Sequence, residues 1–317
     1  MKVEKKEREN IMKIAIIGLG GVGGYFGGKL AAHYANKKDV DITFIARGKH
    51  LEEIQNNGLK VITEQGTFIA KPDKAIDNPA SCSIFDLIIF CVKSYDLEDS
   101  AKLFKNCVNE QTVAITVLNG VNNAERLKRV LPDAQILDGC VYISAFIKEA
   151  GIVCQAGGTC KFFFGSDTEN KKYIKIEQVL KDAGITAEYR KDIKEIVWEK
   201  YLFVSPLASA TSFYQKTFGE IMEDAESKNL LQGLLKETEV IAKFQKVDLS
   251  HDIFQKSLDK IALFPYETKS SLQMDFERKK NTELDIFAGY IVEYAKEHGI
   301  DVPLHDKVYS VIRRKSK

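Results

Sequence analysis

The stretch "KIAIIGLGGVGGYFGGKLAAHYA", Lys13 to Ala35, decides how the first half of the chain folds. A short apolar run, Lys13–Ile17, gives way to glycines and then to a helical pattern. The run suits a strand buried on both faces of a parallel sheet. Gly18, Gly20 and Gly23 make G-x-G-x-x-G, with Gly24, Gly27 and Gly28 beyond. The first glycine permits a tight turn, the second lets backbone approach a pyrophosphate, and the third lets the helix pack close to the strand. The helix start adds free N–H groups and a positive dipole end. Gly18, Leu19, Gly20, Gly21, Val22 and Gly23 are therefore expected to bind a dinucleotide.

Working outward, the next strand is "DITFIARGKH", Asp41 to His50. An NAD site usually ends this strand in an acid that holds the ribose hydroxyls. Here the end reads Ala46-Arg47-Gly48-Lys49, and an arginine suits a 2′-phosphate, so NADP(H) is the expected cofactor. Two more apolar runs follow, "DLIIFCVKSYD" (Asp86–Asp96) and "TVAITVLNGVNN" (Thr112–Asn123). Ligands of open α/β sheets bind outside the carboxyl ends of strands. Lys93 and Asn119 both occupy such ends and are expected near the nicotinamide or the substrate. Strand-rich segments then carry the sheet to about Arg190, with Ala145 expected near another strand end on the cofactor side.

The chain has 317 residues, enough for two domains, and 44% hydrophobic and 29% charged residues, an ordinary globular composition. A net charge of +1 argues against a nucleic-acid partner. No apolar run reaches the roughly 18 residues of a membrane span, and the charged start "MKVEKKEREN" has no apolar signal core. Six scattered cysteines without a C-x-x-C pair read as reduced thiols of a cytoplasmic protein, and the five histidines show no metal-ligand spacing. The expected organisation is α/β: a charged tail over 1–11, an NADP-binding Rossmann-type domain over 12–190, and an all-helical substrate and catalytic domain over 191–317. A homodimer is compatible with this composition.

From Asp192 onward the periodicity is helical. "IVWEKYLFVSPLASA", Ile196 to Ala210, reads as a buried helix followed by small polar residues, yet Lys200 lies on its apolar stripe with Ile193, Ile196, Val197, Tyr201 and Val204. A long amphipathic helix is expected over Ser271–His298, opened by a Ser270/Gln273 capping box and carrying Glu283 on its apolar stripe. A lysine and a glutamate thus point inward from their own helices. Burying either alone is costly. They are either a working pair or a structural salt bridge.

With these residues in hand, the chain resembles the ketopantoate reductases (2-dehydropantoate 2-reductases) over nearly all its length from Met12. The resemblance rests on the glycines at Gly18–Gly23, on Arg47, on "CVKSYD" with Lys93 and on "LNGV" with Asn119. It continues through "GCVYISAFIKEAGIV", "WEK" with Lys200, and "SSLQMDFERKKNTELD" with Ser271 and Glu283. It implies a Rossmann domain joined to a helical domain with the active site in the cleft between, and NADPH-dependent reduction of an α-keto acid in pantothenate synthesis. It assigns Lys200 as proton donor and Asn119 and Ser271 to substrate, with Asn119 also near the nicotinamide and Glu283 organising the cofactor end or the lysine.

The sequence departs from this family in one place. Members usually carry asparagines four and eight residues after the lysine, the second followed by proline. Here those positions are Val204 and Ala208, and the proline comes early, as Ser205-Pro206. A short gap places Ser205 where the second asparagine belongs, with Ser209, Thr211 and Ser212 as further hydroxyl donors. Two other readings are reduction of a different small 2-keto acid, and a non-catalytic NADP(H)-binding sensor.

Overall fold

The computed structural model describes residues 11–80 and 82–315. The expected N-terminal tail, as far as Asn10, lies outside the described residues. The chain divides into two compact units. The first comprises the chain up to Leu118 together with Asn122–Ile193, and the second comprises Asn119–Val121 together with the chain from Lys194 onward.

In the first unit ten strands among the described residues form one sheet. They are β1 (Met12–Ile17), β2 (Val40–Ile45), β3 (Leu59–Thr63), β4 (Gly66–Ala70), β5 (Lys74–Ile76), β6 (Leu87–Phe90), β7 (Val113–Thr116), β8 (Gln135–Glu149), β9 (Ile152–Gly165) and β10 (Thr186–Arg190). The helices are α1 (Gly21–Tyr34), α2 (Gly48–Asn57), α3 (Leu97–Lys102), α4 (Asn123–Val130) and α5 (Lys171–Asp182). The spatial order is β4-β3-β9-β8-β7-β6-β1-β2-β5, with β10 also on β9. The run β5-β2-β1-β6-β7-β8 is parallel throughout. In chain order this run is the 3-2-1-4-5-6 arrangement of a Rossmann sheet. The chain reverses direction across the sheet at β1, between β2 and β6, which is where such sheets bind ligands.

The apolar runs explain this layering. Side chains of a strand alternate between faces. Ile14 and Ile16 of β1 and Leu87 and Ile89 of β6 enter one core, with Phe26 and Leu30 of α1 and Ile176 of α5. Ala15, Ile17, Ile88 and Phe90 enter the other, with Leu97 of α3 and Leu127 of α4. Each fully buried isoleucine or leucine contributes about 1.5–3 kcal/mol. A charged residue at Ile16, which is 0% exposed, would undo that packing.

The second unit is helical: α6 (Ile193–Tyr214), α7 (Phe218–Glu223), α8 (Ala225–Phe244), α9 (Ile253–Ala262), α10 (Ser271–Glu277), α11 (Tyr290–His298) and α12 (Pro303–Lys315). Two expectations need correction. The helix carrying Lys200 does not end in the small polar residues but runs through Pro206 to Tyr214. The expected helix over Ser271–His298 is broken: α10 stops at Glu277, Lys279 adopts a left-handed φ of 53°, and a π-helical turn over Asp285–Gly289 leads into α11. The physical reason is the run Glu277-Arg278-Lys279-Lys280-Asn281, which is exposed and offers no apolar side chain to a core. Gly299, at φ 66°, then closes α11.

All six cysteines are free thiols. Among the described residues no helix is long and apolar enough to cross a membrane. No cluster of His, Cys, Asp and Glu among them could hold a metal ion.

Candidate active site

The glycine loop follows β1 directly. Gly18 has a φ of 90°, and a Cβ there would lie 2.8 Å from Val92 Cγ1 and 2.9 Å from the Val92 nitrogen. Only glycine makes that turn beside β6 without strain. A Cβ on Gly23 would lie 2.0 Å from the Gly18 carbonyl oxygen, so α1 can approach β1 only without a side chain there. Gly20 is different: a Cβ would meet nothing within 4 Å. It stands at the cap of α1 with no capping side chain, and the first turn has no acid. Neither a capping side chain nor an acid of the helix itself occupies its N–H groups and positive dipole end, the arrangement an anion needs. Val22 packs against the core and Leu19 is buried within it.

Ala145 belongs to the same neighbourhood, though not at a strand end as expected. It lies within β8, beside a register shift at Ser144/Ala145, and the strand continues to Glu149. Its carbonyl oxygen would be 2.0 Å from a Cβ on Gly21. The bulge thus presses β8 backbone against the first turn of α1.

Arg47 caps α2 in an extended conformation (φ −136°, ψ 156°) and is exposed, one residue beyond the buried Ala46. Lys93 is half-buried, three residues past the end of β6, and its carbonyl accepts from Asp96 N at 2.9 Å. The residues present fit a dinucleotide. Gly20 leaves room for a pyrophosphate beside an uncapped helix start, and Arg47 supplies a cation at the end of the second strand. A cavity of about 660 Å³ elsewhere in this unit is lined by Tyr25, Lys29, Gln155, Cys160 and Thr186 rather than by the glycine loop.

In the second unit Lys200 is half-buried on α6, with the half-buried Ile196 and Val204 one turn before and one turn after it and the buried Val197 and Tyr201 beside it. Its Nζ donates to Asn119 Oδ1 at 3.0 Å. An ammonium can only donate, so the amide oxygen of Asn119 faces the lysine. Tyr201, next to Lys200, is 3% exposed, and its hydroxyl donates to the Ile286 and Phe287 carbonyls at 3.0 and 2.7 Å. It anchors the lysine's turn of α6 to the π-helical turn that follows Glu283. Glu283 is 6% exposed, and its carbonyl accepts from Ile286 and Phe287 N–H groups.

The expected hydroxyls are placed unevenly. Ser271 is the first residue of α10 and is exposed, while Ser270 is its cap, accepting from Gln273 N at 3.1 Å. The reciprocal bond of a capping box is replaced by a Gln273 Nε2 bond to Glu277 Oε1 at 3.1 Å. Ser270 Oγ also pairs with Thr211 Oγ1 of α6 at 2.8 Å. Ser205 is fully buried, and five residues along a helix place it roughly 140° around the axis from Lys200. Val204 and Ala208, not Ser205, follow Lys200 along its own edge of the helix. Ser209 Oγ, Ser212 Oγ and Gln273 Oε1 are buried with no hydrogen-bond partner among the described residues.

Sequence reading missed Tyr201 as an anchor and His50 altogether. His50 Nε2 lies 2.8 Å from the Leu19 carbonyl, and Gly151 N–H donates to its Nδ1 at 2.9 Å. Neither had a sequence signal, because both act through backbone carbonyls and amides brought together only by the fold.

A Rossmann-type unit with an open glycine cradle, followed by a helical unit carrying a lysine–asparagine pair, defines the class as a dinucleotide-dependent oxidoreductase. Residues 14–168 match the family described as "Ketopantoate reductase PanE/ApbA", and residues 192–316 match "Ketopantoate reductase PanE/ApbA C terminal". The chain belongs to the ketopantoate reductase family. It is 28% identical over 303 residues to the "Uncharacterized oxidoreductase YkpB" of Bacillus subtilis, covering 94% of this chain and 97% of that protein. It is 31% identical to the crystal structure of 2-dehydropantoate 2-reductase from Porphyromonas gingivalis W83, with a TM-score of 0.83 over 96% of this chain and 99% of that one. A D-mandelate dehydrogenase solved with NADH and anilino(oxo)acetate shares the fold at 21% identity, with a TM-score of 0.83 over 96% of this chain and 98% of that one.

Proposed function

We propose that the chain reduces 2-dehydropantoate to pantoate with NADPH, as a step of pantothenate synthesis. The observation that carries the reading is the Lys200–Asn119 hydrogen bond of 3.0 Å. Arg47 supports NADP(H) over NAD(H), because a planar guanidinium matches a 2′-phosphate in charge and geometry. When bound, NADPH supplies a hydride to the keto carbon. Gly18–Gly23 would hold its pyrophosphate, Arg47 would meet its adenosine end, and Lys93 and Ala145 would complete the cradle.

The rest of the chemistry belongs to the chain. As hydride arrives, negative charge grows on the carbonyl oxygen. Lys200 stabilises that charge and delivers the proton. Asn119 holds the ammonium in place through Oδ1 and contacts the substrate. Ser271 adds a hydroxyl donor, and Glu283 organises the lysine or the cofactor end. The test is NADPH oxidation by the purified protein with 2-dehydropantoate, beside the Lys200→Ala variant. Turnover that persists in the variant contradicts the assignment.

Val204 and Ala208 favour one second reading, a different small 2-keto acid as substrate. Two aliphatic side chains stand where the family usually has amides, so this edge of the helix contributes shape and not hydrogen bonds. A panel of 2-keto acids separates the two readings.

A further inference from the structure

His50 joins two backbone segments far apart in sequence. Gly151 sits at the β8–β9 turn with a φ of 74°, where a Cβ would lie 2.8 Å from Glu53 Cβ. The absence of a side chain brings its N–H within 2.9 Å of His50 Nδ1. A backbone N–H can only donate, so Nδ1 accepts with its lone pair and the ring proton resides on Nε2. Nε2–H then donates to the Leu19 carbonyl at 2.8 Å. The tautomer is fixed by its partners. Burial also pushes the ring's pKa below its ordinary value, which favours the neutral form this arrangement requires.

Leu19 is the middle residue of Gly18-Leu19-Gly20. Its side chain is 3% exposed, locked into the core, and its carbonyl is held by His50. The Leu19–Gly20 peptide is trans, like every peptide bond described. In a trans peptide the C=O and N–H point to opposite sides. Drawing the Leu19 oxygen toward α2 therefore turns the Gly20 N–H away from α2. Gly20 is the residue beside which a Cβ meets nothing within 4 Å.

We infer that His50 is a positioning residue for cofactor binding: by holding the Leu19 carbonyl it aims the Gly20 N–H at the dinucleotide phosphates. The inference rests on the dinucleotide reading of the glycine loop. His50 touches no phosphate itself. It sets the orientation of a donor before the ligand arrives, so the cost of ordering the loop does not fall on binding.

Two substitutions separate this role from a structural staple. The amide oxygen of H50N sits where Nδ1 does and keeps the Gly151 bond, but nothing reaches Leu19. The amide nitrogen of H50Q sits where Nε2 does and keeps the Leu19 bond, but loses the Gly151 acceptor. NADPH binding is titrated by its fluorescence, with thermal melts as a folding control. H50N is expected to weaken NADPH binding roughly 3- to 10-fold, the value of one net hydrogen bond. H50Q should stay within about 2-fold of the unsubstituted protein. The KM for the keto acid and kcat at saturating NADPH should not move in either. Equal losses in both variants would make His50 a structural staple and overturn the inference. So would unchanged binding in H50N while the unsubstituted protein binds NADPH, and that outcome leaves the cofactor reading standing. Failure of the unsubstituted protein to bind NADPH would overturn the cofactor reading and this inference with it.

Discussion

Lys200 Nζ donates to Asn119 Oδ1 at 3.0 Å, although the two residues are 81 apart in the chain. Asn119 lies three residues beyond the end of β7, yet it belongs to the same compact unit as α6. The bond fixes the lysine head and the orientation of the amide at once. Removing Lys200 is expected to lower kcat roughly 10²–10⁴-fold while NADPH affinity holds. Because the two residues act as one unit, the Lys200→Ala/Asn119→Ala double variant should cost little more than Lys200→Ala alone. Steady-state kinetics on the four proteins of this cycle check it, and additive losses would contradict it.

Arg47 is exposed at the cap of α2. Arg47→Ala should weaken NADPH binding roughly 10- to 100-fold, the range of a lost charge-assisted contact, and leave NADH binding unchanged. Parallel titrations with the two nucleotides decide. An equal loss for both would remove the 2′-phosphate from the argument.

Two glycines of the loop predict opposite phenotypes. Gly20→Ala meets no atom within 4 Å, so the melting temperature should hold while NADPH binding falls, because the methyl enters the space a pyrophosphate needs. Gly23→Ala drives a methyl to 2.0 Å from the Gly18 carbonyl oxygen and should cost about 1–3 kcal/mol of stability. Melting curves with and without NADPH distinguish the two. Equal destabilisation by both would contradict the open cradle.

The second unit carries a pH-sensitive contact away from this chemistry. His305 is 0% exposed, and its Nδ1 lies 2.7 Å from Glu237 Oε2. Burial lowers its pKa, and the neighbouring Glu237 only partly opposes the shift. The folded protein therefore holds this ring neutral at pH values where the unfolded chain, with a pKa of about 6.5, has begun to bind a proton. The unfolded state takes up more protons there, so stability falls as pH drops below about 6.5, until the lowered folded pKa is passed. Melting temperatures between pH 7 and pH 5 should decline less in His305→Gln than in the unsubstituted protein.

The Rossmann unit was legible because its signals are local. An apolar run, glycines at fixed offsets and a helical period need no distant partner to be read, and the alternation of Ile14, Ala15, Ile16 and Ile17 between two cores follows from them. Lys200 was legible as a charge beside an apolar stripe, and Arg47 as a cation where an acid is usual. The π-helical turn before α11 was not, because its carbonyls are satisfied by the Tyr201 hydroxyl, which lies 85 and 86 residues away in the chain. His50 was hidden for the same reason. Its role lies in bonds to the Leu19 and Gly151 backbone, and backbone groups leave no trace in residue types. Ala145 was read as a strand end because a bulge cannot be told from a terminus without the partner strand.

The most direct test of the account is NADPH consumption with 2-dehydropantoate, run beside several other 2-keto acids. Fast oxidation with 2-dehydropantoate is expected, lost in Lys200→Ala. Activity confined to another 2-keto acid would contradict the assigned substrate and point to Val204 and Ala208 as the cause. Tight NADPH binding without turnover on any of them would contradict the central claim that Lys200 serves as a proton donor.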